Sequence, residues 1–169
     1  GIPAHAFTRV VREDDQRKDL LFAGTELGVF VSYDGGANWA AFQLNLPITP
    51  ITDLRIHQGD LIAATSGRSF WILDDLGLLR QHQPSQASVA LYQPEPAILV
   101  NGGSELNGNQ SDGTNPYRGV NPANGAVIYY YLPELDEKET ISLEIKDASG
   151  HLVRKFSSKA DTTFLSGWE

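Results

Sequence analysis

The side chains of this chain that are equipped for chemistry are few and widely spread. Carboxylates stand at strand ends and turns, namely Asp34, Asp53, Asp74 and Asp75. Two carboxylates at a defined separation are what glycoside hydrolysis requires. Asp34 lies in Ser32-Tyr33-Asp34-Gly35-Gly36-Ala37-Asn38-Trp39. There its side chain is expected to cap turn N–H groups while Gly35 and Gly36 accept positive φ. Asp74 occupies the corresponding turn of a later segment. Asp53 opens the strand after a proline-containing loop, a place for either a cap or a pocket residue. Arg68 follows Gly67 and reads as a surface salt-bridge partner or a ligand contact. Trp71 reads first as a packing residue, like Trp39 and Phe70, and second as a platform for a sugar ring. Asp53, Arg68 and Trp71 are therefore the candidate ligand contacts, and no residue is assigned a catalytic role. His5, His57, His82 and His151 form no i, i+2 or i, i+4 pair and cysteine is absent, so no metal, cofactor or disulfide is expected. Ser66 and Ser69 flank Gly67-Arg68 without the Gly-x-Ser-x-Gly spacing of a nucleophile elbow.

These residues must be positioned by strands. Loose alternation from His5 to Glu13 predicts an outer strand, Leu20–Thr25 a short buried one, Gly28–Tyr33 the next and Trp39–Gln43 a fourth. The polar run Asp14–Asp19 between the first two reads as a solvated turn. The unit then recurs. At an offset of 40, Leu61 falls on Leu21, Ala63 on Ala23, Thr65 on Thr25, Phe70 on Phe30 and Asp74 on Asp34. The second unit predicts strands over Ile51–Ile56, Leu61–Thr65, Phe70–Leu73 and Leu78–Gln81. A period near 40 with four short strands per unit is the signature of a propeller blade. The pattern Ser32-x-Asp34-x-Gly36-x-x-Trp39 resembles the Asp-box, or BNR repeat, of sialidase-like and sortilin-like β-propellers, with Asn38 where many such repeats carry Thr. The resemblance implies that Ser32, Asp34, Gly36 and Trp39 staple the fold and stand away from any active site. A sialidase-type site would add an arginine cluster and a tyrosine nucleophile with a glutamate partner, whose convergence the spacing does not specify.

A narrower resemblance runs over residues 19–82. The string Asp60-Leu61-Ile62-Ala63-Ala64-Thr65-Ser66-Gly67-Arg68-Ser69-Phe70-Trp71-Ile72-Leu73-Asp74-Asp75, with Asn45-Leu46-Pro47 before it, is similar to the closing blade of large exported bacterial BNR-repeat, sortilin-like glycosyl hydrolases. That family typically has His where this chain has Ser66. Residues 83–124 read as a proline-containing and then Asn/Gly-rich linker, in which Asp112 is a poor candidate for calcium. From Gly125 onward β-rich sequence returns, with strict alternation over Ile141–Lys146, a turn at Asp147–Gly150 and a strand over His151–Phe156. Leu143–Phe156 resembles an immunoglobulin-like module of flagellar hook-capping proteins and secreted bacterial enzymes. Asn121–Ala126 is similar to the motif that opens that module. The expected architecture is all-β: two four-stranded Asp-box propeller blades in 1–82, a linker in 83–124 and a partial immunoglobulin-like sandwich in 125–169.

Composition limits the partners. A net charge of −8 disfavours nucleic acid and anionic membranes. No apolar run reaches transmembrane length. Gly1 reads as an internal start, so the chain is expected to be a piece of a longer protein whose other blades are its partners. The resemblance implies a non-catalytic closing portion of an exported glycan-processing enzyme, with carbohydrate as ligand. The competing expectation is a sortilin-like scaffold that binds peptide or protein. Exposed sheet edges also predict self-association.

Overall fold

A computed structural model of the chain describes residues 1–97, 125–134 and 139–159. The Asn/Gly-rich stretch up to Asn124, with Asp112 and the module-opening motif, lies outside the described residues except at its end. So do residues 135–138 and 160–169. What is described is almost entirely β-strand in small antiparallel sheets, none closed into a barrel. The chain divides into two units, Gly1–Tyr131 and Leu132–Glu169.

The first sheet contains β1 (Thr8–Glu13), β2 (Leu21–Thr25), β3 (Gly28–Ser32) and β4 (Ala40–Ala41), in that order. Every β3 residue is buried, and β2 nearly matches it, because both faces of these strands are covered. Glu26-Leu27 closes their hairpin. Thr25 Oγ1 accepts the Leu27 N–H at 3.0 Å and donates to the Gly28 carbonyl at 3.0 Å. The second sheet contains β5 (Ile51–His57), β6 (Asp60–Thr65) and β7 (Phe70–Leu73). Its first turn, Gln58-Gly59, has φ of 52° and 91°, the doubly left-handed form that matches strand twist in a two-residue hairpin. The two sheets share an irregularity: pairing skips Arg9 between Thr8 and Val10, and skips Thr52 between Ile51 and Asp53.

They also differ in two ways. The expected fourth strand of the second unit is absent, and Gly77–Gln81 forms helix α1. The Leu76 N–H donates to the Gly59 carbonyl at 2.7 Å, and Asp75 Oδ1 accepts the Gly77 N–H at 2.7 Å. These bonds turn the chain across the β5–β6 hairpin. Leu76 and Leu79, three apart, then both reach the core, which suits a helix rather than a strand. The second difference concerns register. The β2–β3 pair sets Phe30 opposite Ala23, whereas β6–β7 sets Trp71 opposite Ala63 and Phe70 opposite Ala64. The Thr65 N–H donates to the Ser69 carbonyl, so three residues close this hairpin where two close the first. One extra residue flips every following side chain to the other face. Phe70 is therefore not a core aromatic: it is 72% exposed, against 7% for Phe30.

Both sheets share one core. Val10, Phe22, Val29 and Val31 of the first meet Ile51, Leu54, Leu61 and Ala63 of the second, with Trp71 and Leu73 packed at the margin. The sheets approach closely at Gly24, where an added Cβ would lie 2.7 Å from Ile51 Cγ2 and from Val10 Cγ1. A short third sheet pairs β8 (Ala90–Leu91) with β9 (Tyr130–Tyr131), so the first strand read after Gly125 belongs to the first unit. The second unit contains a hairpin of β10 (Ser142–Lys146) and β11 (Leu152–Ser157). Asp147 Oδ1 accepts the Ser149 and His151 N–H groups at its turn.

Candidate functional site

The Ser32–Trp39 turn is a closed hydrogen-bond network. The Ser32 hydroxyl donates to Asp34 Oδ1 at 2.8 Å and accepts the Gly36 N–H at 2.9 Å. Asp34 Oδ1 also accepts the Asn38 N–H at 2.8 Å, and Oδ2 accepts the Asn38 side-chain amide at 2.7 Å. Asn38 thus supplies a side-chain donor to the carboxylate. Hydrogen bonds from the Asn38 amide and backbone, then from Ser32, hold the Asp34 carboxyl below its usual range. Gly35 and Gly36 take φ of 68° and 95°. Trp39 lies over this pair, its Cζ2 3.5 Å from where a Gly36 Cβ would be. With three hydrogen bonds from its own turn on Asp34, the carboxylate is committed to local structure.

The three candidate ligand contacts do not converge on a common site. Asp53, exposed at the β5 irregularity, accepts Arg12 Nη2 at 2.8 Å, while Arg12 Nε donates to the Leu54 carbonyl at 2.8 Å. It forms a bridge between the two sheets. Trp71 is half-buried, packs on the core and donates from Nε1 to the Arg68 carbonyl at 2.9 Å. The hollow beside it, lined in part by Phe42, Leu46, Leu61 and Leu73, is about 60 Å³, room for a few waters and too small for a sugar ring. Arg68 is exposed, and its guanidinium makes no hydrogen bond among the described residues. Asp74 is raised above the ordinary carboxylate value by partial burial and then by the neighbouring Asp60.

A second constellation involves residues that the sequence presented as unremarkable. The run Asp14–Asp19 is more than a solvated turn. Asp14 is buried, accepts the Gln16 and Arg17 N–H groups on Oδ2, and is gripped by Arg80 Nε and Nη2 at 2.9 to 3.2 Å. Burial pushes its carboxyl up, but the Arg80 hydrogen bonds and the two backbone donors outweigh this and hold it below the usual range. Arg17 Nη1 reaches the carbonyls of Leu79 and His82 at 2.6 Å and of Arg80 at 3.2 Å, capping the C-terminal end of α1. Its guanidinium also stacks 5.0 Å from the Tyr33 ring centre.

Just past α1, His82 sits among three tyrosine rings. Its ring centre lies 6.0 Å from Tyr33, 6.2 Å from Tyr92 and 6.3 Å from Tyr131. His82 Nδ1 is 2.9 Å from the Tyr92 hydroxyl. Gln81 binds the Gln93 backbone twice, donating to its carbonyl at 3.0 Å and accepting its N–H at 2.8 Å. Leu78, Leu79, His82, Tyr92 and the Tyr129–Tyr131 run enclose a groove of about 250 Å³. The sequence signal here is the Tyr129-Tyr130-Tyr131 run, since a strand sends successive side chains to opposite faces and at least one must face outward. His82 and Tyr92 carried no such signal. Comparison with protein-family models, with curated proteins and with solved structures finds no match to this chain.

Proposed function

We propose that the two larger sheets are consecutive blades of an Asp-box β-propeller. On this reading the chain is a non-catalytic, blade-supplying part of an exported bacterial glycosyl hydrolase-like protein. The observation that carries it is the direction of packing. The first sheet buries its Phe22–Gly24–Val29–Val31 face against the opposite face of the second, the one bearing Leu61 and Ala63. The register-equivalent face of the second sheet is Ile62, Ala64, Phe70 and Ile72. It is equally apolar, yet Phe70 and Ile72 are exposed. Face-to-opposite-face stacking leaves such an apolar face at the end of any unfinished array, and a further sheet of the same kind would cover it. The closed Ser32–Trp39 turn gives independent support. A propeller needs at least about four blades, so further blades join these two on this reading.

The test offers aryl glycosides and polysaccharides to this chain and to the longer protein carrying the remaining blades. Cleavage by the longer protein alone is the expected result. Cleavage by this chain alone would overturn the non-catalytic assignment. If neither cleaves, a peptide-binding or protein-binding scaffold becomes the better reading.

A further inference from the structure

We draw no further inference here: the strongest candidate, the groove between α1 and the β8–β9 pair, carries none, because its leucine and aromatic walls select no occupant and the Arg17 guanidinium beside His82 is committed to the carbonyls at the helix end.

Discussion

Asn38 ties both oxygens of the Asp34 carboxylate to one turn. Its amide donates to Asp34 Oδ2 while its backbone N–H donates to Oδ1, so one residue engages both carboxylate oxygens. Removing only the amide, in Asn38→Ala, is expected to lower stability slightly, with a smaller loss for Asn38→Thr, measured by urea unfolding. Asp14 is the more consequential carboxylate because it is buried and bound twice by Arg80. Asp14→Ala leaves the mostly buried Arg80 guanidinium with only the exposed Asp15, 3.1 Å from Nη2, and should cost about 2 kcal/mol. The pH dependence follows from the direction of its shift. A carboxyl held below its usual value stabilises the fold fully above that usual value, about 4, and the contribution is lost as pH falls through the lower folded value. Urea midpoints of the wild type should therefore drop on acidification below about pH 4, and that component of the drop should be missing in Asp14→Ala. An equal drop in both proteins would remove Asp14 from the account.

At the level of elements, the two sheets meet where Gly24 leaves no room for a side chain. Gly24→Ala would set a methyl 2.7 Å from Ile51 and Val10, both β-branched and buried, so neither can swing aside. The expected cost is about 1–3 kcal/mol, read from chemical or thermal unfolding. Helix α1 depends on distant residues, because five residues are too few to be helical unaided. Arg17→Ala leaves the carbonyls of Leu79, Arg80 and His82 without their shared donor. It should cost about 1–2 kcal/mol and broaden the His82 and Tyr92 ring signals in NMR spectra. The Ser66–Arg68 loop matters through its length. Its extra residue turns Trp71 inward and Phe70 outward, so deleting one loop residue should return Phe70 to the core face and expose Trp71, a change visible as a red shift of tryptophan fluorescence.

At the scale of the molecule, the second sheet ends, among the described residues, in an apolar face and an unpaired edge at β7. Such surfaces pair with one another when nothing else covers them. Concentration-dependent self-association of this chain is expected by light scattering, and a double replacement of Phe70 and Ile72 by Ser should reduce it sharply. A monodisperse monomer at high concentration would count against the open-ended stacking from which the propeller proposal is drawn. The hairpin of the second unit presents nearly all of its side chains to solvent, and a lone two-stranded ribbon is marginal in water. Its order should therefore be lost at lower denaturant than that of the two-sheet core.

The sequence alone determined what depends on neighbours along the chain. Alternation and buried apolar runs marked β1 to β3 and β5 to β7, and Ser32, Asp34 and the glycine pair specified their turn, because those interactions span only a few residues. The tertiary structure decided what depends on residues far apart. Arg80 lies 66 positions from Asp14, and Arg17 reaches carbonyls more than 60 positions away. No local pattern announces such pairs, so Asp14, in a run otherwise as solvated as read, became a buried anchor. Leu78–Gln81 read as a strand by analogy with the first unit, but burial of Leu76 and Leu79 against the shared core selected a helix. A fixed offset of 40 likewise could not register one extra loop residue, and in a sheet, where side chains alternate with a period of two, that single residue decides which aromatic is buried.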